Sequence, residues 1–157
     1  MRQKAPIEDK AKMPPLMSPR LLGVLACLVN FGMLLFNLGF TRAGAIAAFN
    51  PQVFSEFGQA MILVWGIAFL LAGLGDGDRP SYIWLAFSLE KAMYVGSWLL
   101  WLKEIPVPED MSSLDFIAPL FHLIYGPIDF VFLLLFLQQG LASFRAREEA
   151  TAELKRA

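Results

Sequence analysis

The chain is poor in the residues that most enzymes and metalloproteins place at their centres. It has one cysteine, Cys27, and one histidine, His122. A lone cysteine excludes an intrachain disulfide and any thiolate cluster, and leaves the redox compartment unread. A lone histidine excludes bis-histidine haem ligation within one chain and a histidine-rich metal set. There is no Walker loop and no G-x-S-x-G elbow. Gly75-Asp76-Gly77-Asp78 begins like a calcium loop but lacks the later acidic ligands of an EF-hand, so it reads as a turn. No metal and no cofactor are expected.

Charge is also scarce. Of 157 residues 17% are charged, the formal net charge is −1, and 57% are hydrophobic. Soluble domains run at about 45–50% apolar, and here the excess is gathered in four blocks, 21–40, 57–74, 82–102 and 116–137. About 20 apolar residues span a hydrocarbon core of about 30 Å. Helices apolar all round argue against a soluble bundle. The expected fold class is all-α integral membrane, a bundle of four transmembrane helices over residues 21–138. A basic, proline-rich tail (1–20) precedes it and a charged helical tail (139–157) follows. Ala43-Gly44-Ala45 has the form of a signal-peptidase site, but the block before it is longer than the roughly 7–15 residues of a signal core, so it reads as a span.

Lysine and arginine set the orientation. Arg2, Lys4, Lys10, Lys12, Arg20, Arg79, Arg145, Arg147, Lys155 and Arg156 fall on one side, and only Arg42 and Lys103 on the other. Both termini are therefore expected in the cytoplasm, across a bacterial cytoplasmic membrane. Glycines are expected where helices approach closely: Gly23, Gly32 and Gly39 in the first span, Gly58, Gly66 and Gly73 in the second. The connection 41–56 is expected to hold a short interfacial helix ended at Asn50-Pro51.

Against this background the polar residues inside the spans stand out. The fourth block contains PLFHLIYGPIDF, with His122, Tyr125 and Asp129 on neighbouring helical positions and Asp115 continuing the stripe. Pro127 within it cannot donate to the carbonyl of Leu123. The third block carries Glu90 and Lys91 near its centre, with Tyr94, Ser97 and Trp101 on the Glu90 stripe. Adjacent helical residues diverge by about 100°, so Glu90 and Lys91 do not read as a simple mutual salt bridge. Lys91 is instead expected to pair with Asp129.

With both termini on one side, Asn30, Glu90, Lys91 and Asp129 fall at one depth, about 12–14 Å in at 1.5 Å per residue. Asn37, Gln59, Ser97 and His122 fall at a second, with Tyr94 and Tyr125 between. The inner layer sums to −1 if all three charged groups ionise, and the balancing proton is assigned to Glu90, hydrogen-bonded to Tyr94 or Asn30. Intramembrane charges cost roughly 2.5–3.5 kcal/mol each on insertion scales, whereas polar contacts between membrane helices return only about 0.6 kcal/mol on average.

Asn30, Glu90, Lys91, Tyr94, His122, Tyr125 and Asp129 are accordingly the candidate ligand-binding residues. Tyr94, Trp98, Trp101 and Tyr125 are expected to line the ligand's apolar part. A purely structural role in fixing helix register stays open beside it. The first functional reading is binding or carriage of a small hydrophobic or amphiphilic ligand. An acid–base enzyme on a lipid-soluble substrate and an accessory subunit of a membrane complex are the alternatives. Expected partners are membrane lipids, the small hydrophobic ligand and a second copy of the chain, with no nucleic acid. In size and four-span plan the chain is similar to small bacterial membrane proteins such as the DoxX-like group. That likeness covers topology over residues 21–137, shares no diagnostic motif and implies no function or site.

Overall fold

A computed structural model describes residues 15–39, 43–75, 79–103 and 117–156, of which 91% are helical and none is in a strand. Six helices follow in order: α1 (Pro19–Gly39), α2 (Ala43–Phe49), α3 (Pro51–Phe54), α4 (Glu56–Leu74), α5 (Ser81–Lys103) and α6 (Ile117–Leu154). Three of them, α1, α4 and α6, are long and apolar enough to cross a membrane. The fourth long helix, α5, has 23 residues, but Glu90, Lys91 and Lys103 dilute its apolar character.

The long helices pack as two antiparallel pairs. In the α1–α4 pair, Gly23 meets the backbone of Gly73 and Phe69, while Gly66, further back along α4, meets Asn30 and Phe31. The absence of side chains at Gly23 and Gly73 lets the two backbones touch. Gly32 departs from the expectation: nothing lies within 4 Å of where its Cβ would be, because it is on the exposed side of α1. In the α5–α6 pair, Leu85 fills the space at Gly140, Ser88 donates to the carbonyl of Leu133 (3.3 Å), and the Trp98 ring lies against Gly126.

The short helix expected to end at Asn50-Pro51 is α2, and a second short helix, α3, follows it. Asn50 separates them, its side chain capping α3 by accepting from the amide of Val53 at 3.3 Å, with Pro51 in the first helical position. Ser55 caps α4 in the same way, accepting from Gly58 at 3.1 Å. These caps fit the preference of Asn and Ser for orphan amide donors and of Pro for the first turn. Ile46, Phe49, Val53 and Phe54 are buried against Trp101, Ala118 and Phe121, so α2 and α3 close one end of the bundle. The other end is filled by Leu22, Ala26, Phe69, Trp84, Phe87, Phe132 and Phe136.

α6 runs unbroken through Pro127 and on into its charged tail. Pro119 is tolerated because it sits in the first turn, where no helical acceptor awaits its missing N–H. The distribution of side chains is inverted relative to a soluble protein. Lys91 and Glu90 are 3% and 4% exposed, whereas Leu89 and Met93 on the same helix are 65% and 70% exposed. The loop 104–116, the segment 76–78 with its Asp-Gly-Asp, Arg42, Asp115 and the tail 1–14 lie outside the described residues, as does the side chain of Asn37.

Candidate functional site

The polar centre lies between the two apolar cores, where α1, α5 and α6 converge. Lys91 Nζ is 2.8 Å from Asp129 Oδ1 and donates to Asn30 Oδ1 at 3.2 Å. Asn30 in turn donates through Nδ2 to the carbonyl of Ile62 on α4, 3.1 Å away. Gly66 makes that reach possible, since a Cβ there would sit 3.2 Å from the Cβ of Asn30. One ammonium thus ties all four long helices together. Its position over the rings of Phe69 (5.2 Å) and Tyr94 (5.5 Å) adds cation–π attraction.

The Lys91–Asp129 pair stands as the helical spacing implies. The relation of Glu90 to its neighbours does not. Lys91 Nζ lies 3.7 Å from Glu90 Oε1, because the flexible lysine stem folds back along the helix and offsets the 100° divergence. The expected hydrogen bond from Glu90 to Tyr94 or Asn30 is absent, and Asn30 Oδ1 accepts from Lys91 instead. Both Glu90 oxygens are buried and accept no hydrogen bond.

Two spaces adjoin this carboxylate. A cavity of about 20 Å³ is lined by Asn30, Glu90, Lys91, Tyr94, Tyr125 and Asp129, together with apolar side chains. Such a volume holds about one water molecule and no larger ligand. Outside it, between α4 and α5, runs a groove of about 590 Å³. Its walls are apolar (Phe57, Met61, Trp65, Leu89, Met93), and Glu90, Tyr94 and Ser97 give it a polar edge. Glu90, Tyr94 and Val53 line both spaces.

Of the seven residues singled out in the sequence, six line the small cavity and His122 does not. His122 is fully buried in an aromatic cage of Phe49, Phe54, Trp101, Phe121 and Tyr125, with ring centroids 5.0–5.8 Å away. Its Nδ1 donates to the carbonyl of Ala118 at 2.8 Å, and Nε2 has no partner. Among the described residues of the second polar layer, Gln59, Ser97 and His122 make no hydrogen bond to one another. Gln59 donates to the carbonyl of Phe54 (3.0 Å), His122 uses Ala118, and Ser97 faces the groove. Gln59 and His122 Nδ1 turn to nearby backbone and Ser97 lies apart, so for these three shared depth did not mean contact.

Trp98 and Trp101, expected along the ligand's path, line neither space. Trp101 stacks on His122, and Trp98 donates to the His122 carbonyl at 2.9 Å, one residue before the carbonyl that Pro127 leaves without its helical donor.

Three contributors were not singled out from the sequence. Asn50, besides capping α3, donates to the Tyr125 hydroxyl at 3.2 Å. Phe54 packs edge-on against Phe121, His122 and Tyr125. Trp65 forms part of the groove. The Asn-Pro dipeptide was the available signal for the first; nothing in the local sequence distinguished the others from ordinary core aromatics.

Searches against protein families, characterised proteins and solved structures find nothing that matches this chain. The reading of the site therefore rests on its geometry.

Proposed function

We propose that this chain is a four-helix integral protein of a bacterial cytoplasmic membrane, with both termini cytoplasmic, that binds a small amphiphile in the groove between α4 and α5. α5 joins the three more apolar helices as a span because its charged pair is turned inward and sequestered, while Leu89, Met93, Leu99 and Leu100 face outward. At 1.5 Å per residue its 23 residues extend about 35 Å, sufficient for the hydrocarbon core. The positive-inside balance of Arg20, Arg79, Arg145 and Arg147 against Lys103 supports the orientation.

The observation that carries the ligand reading is Glu90. A buried carboxyl whose oxygens accept no hydrogen bond borders an apolar groove of about 590 Å³. Groove volume and lining match small-molecule sites, which run at about 300–1,000 Å³ with a few placed polar groups on apolar walls. The ligand's head meets Glu90, Tyr94 and Ser97, and its tail lies along Met61, Trp65 and Met93. Asn30, Lys91, Tyr125 and Asp129 sit behind Glu90 and hold it at the edge of the groove. An acid–base enzyme finds less support, since His122 is walled off by its aromatic cage rather than sharing a space with Glu90.

Native mass spectrometry after mild extraction tests this reading. The wild-type protein should carry a lipid-sized adduct, and Ala86→Trp, which fills the groove from an exposed position on α5, should lose it while remaining monodisperse. Equal adducts on both proteins, or none on the wild type, would count against the groove.

A further inference from the structure

The charge pattern around Glu90 specifies the head group. We infer that the groove selects amphiphiles with a cationic, hydrogen-bond-donating head, an alkylammonium in chemical class, over neutral and anionic ones of the same tail; this rests on the groove reading above. Among the described residues, the charged groups at the polar centre are Glu90, Lys91 and Asp129, two carboxylates and one ammonium. Asp129 takes the close contact with Lys91, at 2.8 Å against 3.7 Å for Glu90. The remaining polar neighbours, Asn30, Tyr94 and Tyr125, add no positive charge.

With Glu90 ionised the centre is one positive charge short, so a bound ammonium would take the place of the balancing proton at the residue that lines the groove. The Glu90 oxygens are buried and accept from nothing else, so a turn of this side chain towards the groove would let an ammonium there donate to them and complete the charge balance. The Tyr94 ring, already 5.5 Å from Lys91 Nζ, lines the groove as well. A carboxylate or phosphate head would meet Glu90 with Asp129 behind it, and the neutral hydroxyls of Tyr94 and Ser97 carry no charge to offset that repulsion. A hydroxyl head could donate one hydrogen bond but would leave the charge unbalanced. Charge-assisted hydrogen bonds exceed neutral ones in strength, and most so where water is excluded.

Dodecylamine, dodecanol and dodecanoate share one tail and differ in the head, so they separate the possibilities. Each is titrated against wild-type protein in zwitterionic lipid nanodiscs and bound probe is counted by native mass spectrometry. Dodecylamine should bind at least about tenfold more tightly than dodecanol, a difference of about 1.4 kcal/mol, and dodecanoate should bind weakest. Glu90→Gln should abolish the advantage of the amine over the alcohol.

Equal binding of amine and alcohol by the wild type would overturn the cation preference and leave the groove standing. So would tightest binding of dodecanoate. Persistence of the amine preference in Glu90→Gln would overturn the assignment to that residue. Failure of all three probes to bind the wild type, or equal binding by Ala86→Trp, would remove the groove reading and this inference with it. The wild-type ranking needs no variant, so it decides the preference even if Glu90→Gln does not fold.

Discussion

Lys91 Nζ on α5 stands 2.8 Å from Asp129 Oδ1 on α6, and both residues are almost fully buried. An ammonium so deep cannot reach water along its own stem, which extends only about 6 Å. Its partners therefore decide whether the bundle tolerates it. Removing one member of a buried pair strands the other charge, at a cost of about 3–5 kcal/mol.

Lys91→Met should accordingly destabilise the protein by about 3–5 kcal/mol, and Asp129→Asn by a comparable amount. The double variant should be more stable than Lys91→Met alone, because it leaves no orphan at that pair. Thermal or denaturant unfolding in one detergent reads all four proteins. A double variant no better than Lys91→Met would show that the pair is not the coupling unit.

The helix contacts of the first pair make a sharper steric forecast. A Cβ on Gly23 would lie 2.7 Å from Gly73 Cα and also against the Phe69 carbonyl, both backbone atoms that cannot turn aside. Gly23→Ala should cost about 1–3 kcal/mol through overpacking. Gly32→Ala meets nothing within 4 Å and should be neutral or stabilising by up to about 1 kcal/mol from helix propensity. Similar unfolding midpoints for the two variants would refute the close α1–α4 approach.

These two cases show what the sequence disclosed and what it could not. Apolar block length marked both ends of α1, α4 and α5 and the start of α6 to within a few residues, because hydrophobicity is a property of the local chain, while α6 runs on past its apolar block to Leu154. Helical spacing and common depth likewise brought Lys91 to Asp129. The same arithmetic did not foresee the fold-back of Lys91 towards Glu90 or the separate cage of His122, since depth along a helix says nothing about which groups face each other across it. The Asn30 contact with the Ile62 carbonyl was hidden because its partner is backbone on a span with few polar side chains. The groove escaped notice for a related reason: it exists where α4 and α5 leave space between them, and no residue pattern encodes a gap.

The proposed orientation is open to a direct check. Reporter domains fused before Met1 and after Ala157 should both report the cytoplasm, and one inserted near Pro108 the opposite side. A periplasmic C-terminus together with a cytoplasmic N-terminus would mean an odd number of crossings. α5 would then be the first candidate to lie outside the bilayer, given Glu90 and Lys91. The result separates four spans from three without reference to any ligand.

The contact between Asn50 and Tyr125 fixes the end of the bundle that α2 and α3 close. Asn50 Oδ1 caps α3, and its Nδ2 donates to the Tyr125 hydroxyl at 3.2 Å, so one side chain both starts a helix and anchors it to α6. A four-residue helix has almost no stability of its own, and such an anchor decides whether it stays in place. Val53 on α3 lines both the small cavity and the groove, so movement there would change access to Glu90. Tyr125→Phe removes the acceptor and leaves a buried amide donor short of a partner, at a cost of about 1–3 kcal/mol. Asn50→Ser keeps the cap, in keeping with the preference for serine there, but is too short to bridge. Both should raise amide hydrogen exchange at residues 52–54, and the double variant should exchange no faster than the quicker single one. Tyr82→Phe, at an exposed tyrosine on α5, should leave exchange there at the wild-type rate. If protection at 52–54 were unchanged in Tyr125→Phe, the aromatic packing of Phe54 alone would hold α3, and the hydrogen bond would not be its anchor.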